Sequence, residues 1–230
     1  MSELYLVRHA QANFGVENYD TLSSLGQQQS DWLGEYFLER DITFYYTACG
    51  DMQRHKQTLD AISEKLKLNS NQQNVLRGFN EYNFKEMIQA FGAQHPEDKF
   101  YQAAMKQPGN KKTFFRLLRQ VLIAWSKDQI DGVAESWEMF QQRVRAEMSA
   151  IQASVNSGER VLVISSGGAI SMFIGLVLDL SAEKIIELNL QTKNTGISHF
   201  FFNKQVMTMS GFNAIPHLEH PDRVNHITYG

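Results

Sequence analysis

The sequence predicts a three-layer α/β/α sandwich, with a mostly parallel sheet and an antiparallel edge. Strand-like and helix-like segments alternate along most of the chain. The near-continuous apolar run Val161–Ser165 is typical of a central strand buried on both faces. Near the C-terminus, 197–203 and 205–212 form a hairpin pattern that turns at Asn203-Lys204. This hairpin supplies the antiparallel edge.

Composition favours one ordinary globular domain over residues 1–230. The chain is 43% hydrophobic and 20% charged, and its net charge of -3 gives no electrostatic basis for binding nucleic acid. Its one cysteine, Cys49, excludes an internal disulfide and fits a reducing compartment. The apolar stretch 169–178 is too short to span a bilayer, and no signal-peptide pattern opens the sequence. We expect a cytoplasmic protein without a membrane partner.

The remaining elements follow from periodicity and from capping residues. In chain order they are a strand at 3–8, a helix opening at Ser23 or Ser24, a strand at 42–47, a helix at about 51–66, a loop at 69–74, an extended segment at 75–84, a helix capped by Ser136 and ending near Ser154, and a helix from Gly167 to about Leu178. Between about 85 and 131 the pattern is helical, with helices around 100–105 and 113–125 and no strand. We expect this helical insertion to cover one edge of the fold, to form a lid and to set substrate specificity.

Three polar segments follow three of the predicted strands. Arg8-His9 follows the first strand, 49–54 follows the second, and Ser165-Ser166 follows the strand at 161. Ligands of open α/β sheets bind outside the carboxyl ends of the strands. The three segments are therefore predicted to meet at one site.

The residue types at this site suit attack on a phosphate ester. A neutral imidazole at His9 is a nucleophile for phosphorus, and the attack yields a phospho-histidine. Arg8 and Arg54 provide paired, charge-assisted hydrogen bonds to phosphate oxygens, and Arg54 lies near a helix N-terminus. Glu81, among aromatic neighbours that raise its pKa by desolvation, is the predicted general acid.

The chain resembles the histidine phosphatase superfamily, the phosphoglycerate mutase-like group, over nearly its whole length. Five segments in the same order carry the likeness: Leu6-Val7-Arg8-His9-Ala10-Gln11 (Leu-Val-Arg-His-Gly-Gln/Glu in the family), 22–29 (Leu-Thr/Ser-x-x-Gly-x-x-Gln), Arg54-His55-Lys56-Gln57-Thr58 (Arg-Ala-x-Gln-Thr), Asn80-Glu81, and 161–168 (an apolar strand ending in Ser-His-Gly-Gly). The resemblance implies a phosphate-ester enzyme that works through a phospho-histidine, with no metal and no other cofactor. It also implies phosphate contacts from Arg8, Arg54, Ser166 and Gly167.

One position departs from the family pattern. Ser166 stands where the family has its second histidine, and a serine donates a single neutral hydrogen bond. Losing a hydrogen bond to a charged group costs about 1.5–3 kcal/mol, or roughly 10- to 150-fold in rate. The amides of Gly167 and Gly168 stay available at the helix start, and His217 is one candidate for a compensating donor.

Other polar residues near the motifs have open roles. Gln11 and Asn13, in the loop after His9, either touch substrate or form the turn. His55 follows Arg54 directly, so it points about 100° away around the helix and is predicted either to be structural or to support a residue that contacts the substrate. The histidines show no metal-ligand spacing.

Three functions remain open at this stage. The leading one is a phosphomonoester hydrolase for a small phosphorylated metabolite or a phosphoprotein. The second is a catalytically weak or inactive module that binds a phospho-ligand, although a pure binder needs neither His9 nor Glu81. The third, less favoured, is a phosphosugar mutase, because the Arg-His-Tyr-Gly that follows the glutamate in glycolytic mutases is absent after Glu81. A homodimer is open to such a fold, with no residue assigned to it.

Overall fold

The computed structural model describes residues 1–13, 20–68 and 73–229. Within these residues a sheet of six strands has the order β3-β2-β4-β1-β5-β6. The strands are β1 (Ser2–Arg8), β2 (Tyr46–Cys49), β3 (Gln73–Val75), β4 (Arg160–Ser165), β5 (Ile197–Phe202) and β6 (Met207–Ala214). The first four strands of the sheet are parallel, and β5 runs antiparallel to both β1 and β6. The predicted parallel sheet with an antiparallel edge is confirmed.

Eight α-helices are described alongside the sheet. They are α1 (Ser24–Glu39), α2 (Gln53–Leu66), α3 (Phe84–Gln94), α4 (Lys99–Lys106), α5 (Lys111–Ser126), α6 (Trp137–Ser154), α7 (Gly167–Leu178) and α8 (Ala182–Asn189). The side chain of Ser23 caps α1 through the Gly26 N–H, and that of Ser136 caps α6 through the Met139 N–H, as predicted. Within the described residues, no helix is both long and apolar enough to cross a bilayer.

Helices cover both faces of the sheet because both faces are apolar, as β4 shows. Along β4 successive apolar side chains alternate between two cores. Val161 and Val163 pack in the larger core with α6 and α7, whereas Leu162 and Ile164 pack in the smaller core with α1 and α2. All four side chains are fully buried. The apolar run of this strand therefore belongs to the middle of a three-layer sandwich.

Two predicted segments differ in the structure. The strand predicted at 42–47 runs from Tyr46 to Cys49 in the structure, and Phe44, which precedes it, packs into the smaller core against Tyr5. The segment 75–84, predicted to be extended, contains a 3₁₀ turn at Arg77–Phe79 and ends at the start of α3. Of the loop predicted at 69–74, residues 69–72 lie outside the described part, and 73–74 belong to β3.

The helical stretch after Glu81 consists of α3, α4 and α5. The helices predicted around 100–105 and 113–125 fall within α4 and α5, and α3 precedes them. α5 packs against α3, α4 and α8. Phe84 of α3 and Phe114 of α5 lie around the same pocket as His9, so the helical stretch covers the carboxyl end of the sheet.

Candidate active site

The carboxyl ends of the central strands open into one pocket. Its lining residues come from the end of β1, the first turn of α2, the segment that leads into α3, α5, and the end of α8 with the residues after it. They are Arg8, His9, Arg54, Glu81, Tyr82, Phe84, Phe114, Phe115, Leu118, Asn189, Leu190 and Thr192. Four of the predicted site residues, Arg8, His9, Arg54 and Glu81, therefore share this pocket.

One ring nitrogen of His9, Nε2, is unprotonated and carries the lone pair that a nucleophile needs. Its Nδ1 lies 2.7 Å from the Ala10 carbonyl oxygen, so Nδ1 carries the proton and donates it there. Its Nε2 accepts a hydrogen bond from Arg54 Nε at 3.1 Å, which requires an unprotonated Nε2. Burial, together with the nearby Arg54 and Arg8 charges, holds the pKa of His9 well below its usual value. The ring is therefore neutral, as a nucleophile needs to be.

The two arginines are held from different elements. Arg54 lies in the first turn of α2, is almost fully buried, and donates from Nη1 to Asp20 Oδ1 at 2.7 Å. Arg8, at the end of β1, donates from Nη1 to the Thr192 carbonyl oxygen at 2.5 Å. These bonds orient two guanidinium groups along the wall that holds His9, where they favour an anion.

Glu81 is partly buried beside the start of α7. Its Oε2 accepts a hydrogen bond from the Gly168 N–H at 3.2 Å. A Cβ at position 168 would overlap Glu81 Oε1 and the Tyr82 ring, so only glycine allows this approach. Burial raises the pKa of Glu81, and the hydrogen bond from Gly168 together with the Arg54 and Arg8 charges oppose that rise. A partly buried carboxyl with a raised pKa suits proton donation.

Ser166 lies beside Arg54, with His55 behind it. Its Oγ is 2.7 Å from His55 Nε2 and 3.5 Å from Arg54 Nη2, and its side chain is fully buried. His55 is also fully buried, and its ring centroid is 5.5 Å from that of His9. The site thus contains two imidazoles, a hydroxyl and a guanidinium in mutual contact.

Comparison with known proteins identifies the family. The model of the histidine phosphatase superfamily (branch 1) matches residues 4–215, which include every motif described above. The chain belongs to the histidine phosphatase superfamily. The resemblance inferred from the motifs is therefore confirmed.

Individual members of the superfamily match over nearly the whole chain. A 2,3-bisphosphoglycerate-dependent phosphoglycerate mutase of Baumannia cicadellinicola subsp. Homalodisca coagulata is 24% identical, over 92% of this chain and 95% of its own. A phosphoserine phosphatase of Entamoeba histolytica, solved with 3-phosphoglyceric acid, has a TM-score of 0.65 at 17% identity and covers 95% of this chain and 100% of its own. An alpha-ribazole phosphatase of Shigella flexneri has a TM-score of 0.62 at 19% identity, with 93% and 96% covered. The two structural likenesses concern the fold.

Three of the predicted substrate contacts lie away from the pocket lining. Gln11 accepts a hydrogen bond from Ser23 Oγ through its side chain, and the Asn13 side chain donates to Thr21 Oγ1 and to the Leu22 carbonyl oxygen, so both hold the turn after His9. His217 Nε2 is 2.8 Å from Thr195 Oγ1, and burial lowers its pKa to about 3. Because that ring is committed to Thr195, we withdraw it as the compensating donor.

Two glycines and the cysteine have structural roles. The Gly168 N–H, expected to be available for phosphate, is taken by Glu81. A Cβ at Gly167 would come within 2.8 Å of Asn189 Oδ1, so this glycine lets α8 approach the pocket. Cys49 is buried at the end of β2, and burial raises the pKa of its thiol to about 11, which makes it a packing residue.

Several residues of the site have no clear signal in the sequence. Asp20, which binds Arg54, precedes a motif without belonging to it. Asn189 donates to the Tyr82 hydroxyl oxygen at 2.7 Å from α8, a helix that the sequence analysis did not predict. The Ser181 N-cap of α8 was the available signal. His55 lies in contact with Ser166, which agrees with the second of the two roles predicted for it.

Proposed function

We propose that this chain is a phosphomonoester hydrolase that works through a phospho-histidine on His9. Membership of the superfamily supports phosphatase or mutase activity in general. The observation that carries the proposal is the tautomer of His9, whose unprotonated Nε2 lies 3.1 Å from Arg54 Nε in a pocket that also contains Glu81. Its substrate would be a small phosphorylated metabolite or a phosphoprotein.

In the first half-reaction His9 Nε2 attacks phosphorus. The N–P bond forms as the ester P–O bond breaks, and the Glu81 carboxyl gives its proton to the leaving oxygen to release an alcohol. The Arg54 N–H that occupies the Nε2 lone pair must first move to a phosphoryl oxygen. Substrate binding would therefore uncover the nucleophile as it neutralises the phosphate charge.

In the second half-reaction Glu81 acts as a base. As a carboxylate it takes a proton from water, whose oxygen attacks phosphorus as the N–P bond breaks. Inorganic phosphate leaves, and His9 and Glu81 return to their starting protonation states. Arg8 and Arg54 stabilise the charge on the transferring group in both halves.

Hydrolysis of p-nitrophenyl phosphate over about pH 4.5 to 8.5 tests the proposal, with wild type compared to His9→Ala. We expect turnover by wild type, its loss in His9→Ala, and a phosphorylated protein in acid-quenched wild type only. His220→Ala, which removes an exposed histidine, is the matched control.

The other outcomes have distinct meanings. A wild type that shows no turnover, while phosphate raises its melting temperature, would favour the phospho-ligand-binding module. Equal activity in wild type and His9→Ala would remove His9 from the mechanism. Transfer of the phosphoryl group to a second hydroxyl of the substrate, in place of water, would favour a mutase.

A further inference from the structure

A buried pair, His55 and Ser166, adjoins the nucleophile. His55 comes from α2 and Ser166 precedes α7, so 111 residues separate them in the chain. Both side chains have no exposed surface, and Nε2 lies 2.7 Å from Oγ. A short polar contact between two fully buried side chains indicates that each holds the other in place.

The two residues are complementary departures from the same family pattern. The motif that Arg54 belongs to has alanine where this chain has His55, and the motif at the end of β4 has histidine where this chain has Ser166. The imidazole absent from one position is thus present at the other, and the two positions are in contact.

The backbone makes room for the His55 ring. A Cβ on Gly50 would overlap Nδ1 of that ring, so a glycine is required after β2. The His55 ring is tilted 34° from that of His9, with the centroids 5.5 Å apart. The second imidazole is therefore held at the site by a specific arrangement of the chain around it.

The hydrogen bonds of His55 and Ser166 indicate what the pair does. Among described residues, His55 Nδ1 has no partner, so a proton there would be a buried donor without an acceptor. With the proton on Nε2, His55 donates to Ser166 Oγ, and Arg54 Nη2 donates to the same oxygen at 3.5 Å. Both lone pairs of Oγ are then used. The hydroxyl hydrogen is left to donate to another oxygen.

We propose that His55 is a positioning residue: it holds Ser166 so that the Ser166 hydroxyl, beside Arg54, donates to the transferring phosphoryl group. The His55–Ser166 pair would then replace the single second histidine of the family. This inference rests on the proposed site for the phosphoryl group at His9. It assigns His55 a role in which the ring acts only through Ser166.

A double-mutant cycle tests the coupling, with wild type, His55→Ala, Ser166→His and the double variant assayed on p-nitrophenyl phosphate. We expect His55→Ala to lower kcat about 10- to 100-fold with a smaller change in KM. Ser166→His alone should also be impaired, because its ring would meet that of His55. The double variant should recover to within about tenfold of wild type, because it restores the family arrangement.

Two further variants separate positioning from packing. His55→Phe fills the space of the ring without a donor, and we expect it to be as impaired as His55→Ala. His55→Gln places an amide donor near the Nε2 position and should recover part of the activity. Glu64→Ala, an exposed position on α2, is the control. Melting temperatures check that each variant is folded.

Three results would overturn the inference: additive losses in the cycle, an active His55→Phe, or a Ser166→His variant as active as the double variant. If wild type has no turnover, the same cycle is measured as affinity for inorganic phosphate by calorimetry. Coupling in that cycle would support the pair while the hydrolase proposal fails. Additive affinities there would refute the pair as well.

Discussion

Burial shifts the pKa values of His9 and Glu81 in opposite directions. Desolvation disfavours the charged form of each, so the pKa of His9 falls well below its usual value and the pKa of Glu81 rises. The pocket therefore holds a neutral base and favours a protonated acid. These are the protonation states that the first half-reaction requires.

The pH dependence of kcat/KM should follow from these shifts. Activity needs Glu81 protonated and His9 neutral, so we expect a fall as pH rises through the raised pKa of Glu81, and a second fall at acid pH. Glu81→Gln should lower kcat on an alkyl phosphate by about 10²–10⁴-fold. The loss should be much smaller on p-nitrophenyl phosphate, whose phenolate leaves without a proton. Equal losses on the two substrates would contradict a general-acid role.

The same carboxyl should make stability depend on pH. Because the folded-state pKa of Glu81 is raised, its contribution is fully present below the unfolded pKa and is lost as pH rises through the folded value. We expect the melting temperature of Glu81→Gln to rise progressively relative to that of wild type as pH increases from about 4.5, the ordinary pKa of a glutamate, towards neutral. Glu97→Gln, at an exposed carboxyl, should show no such trend. A constant difference across this range would refute burial as the cause.

At the scale of elements, α3 and α5 form an apolar wall of the pocket. This wall faces the one that holds His9 and the two arginines. Phe84 begins α3, and Phe114, Phe115 and Leu118 lie along α5. The Phe84 and Phe114 rings meet edge to face, with centroids 6.0 Å apart. The helical stretch is expected to set substrate specificity. Its apolar wall would favour phosphate esters that carry an apolar or aromatic group.

This wall predicts a substrate preference. We expect a higher kcat/KM for phenyl-type phosphates than for phosphoserine, whose charged amino and carboxyl groups would be desolvated against the wall. Phe114→Ala should lower kcat/KM for the phenyl-type substrate by roughly 10-fold or more and leave phosphoserine nearly unchanged. Phe201→Ala, on an exposed face of β5, is the control. A preference for phosphoserine in wild type would argue against this prediction.

At the scale of the whole molecule, strand order explains what the sequence could predict. Strands β2, β4 and β1 are adjacent and parallel. The residues that follow them therefore lie close together at one edge of the sheet, however the side chains pack. Periodicity and strand ends were enough to bring His9, Arg54 and Ser166 together. The contact of His55 with Ser166 was not predictable from the sequence. Counting residues along α2 gives the direction in which His55 points, but it does not give the element that packs against that side of the helix.

The C-terminal segment supports the His9 loop through another long-range network. Gln29 Nε2 donates to the His226 carbonyl oxygen at 2.8 Å and to Thr228 Oγ1 at 2.9 Å, while its Oε1 accepts from the Gln11 N–H at 3.0 Å. Asn194 Nδ2 donates to the His9 carbonyl oxygen at 3.0 Å. Partners up to 199 residues apart leave no local pattern, so the sequence did not predict this network.

Gln29→Leu should therefore weaken both the fold and the site. It removes the acceptor of the Gln11 N–H and the donor to the His226 carbonyl oxygen. Each unsatisfied group costs about 1–3 kcal/mol of unfolding free energy. We expect a lower denaturation midpoint and a lower kcat, because the turn after His9 loses its support. Gln28→Leu, exposed on the same helix, should change neither. Combining Gln29→Leu with Thr228→Val should cost less than the two separate losses, because each removes a partner of the other. Strict additivity would mean that the C-terminal segment and the loop are held independently.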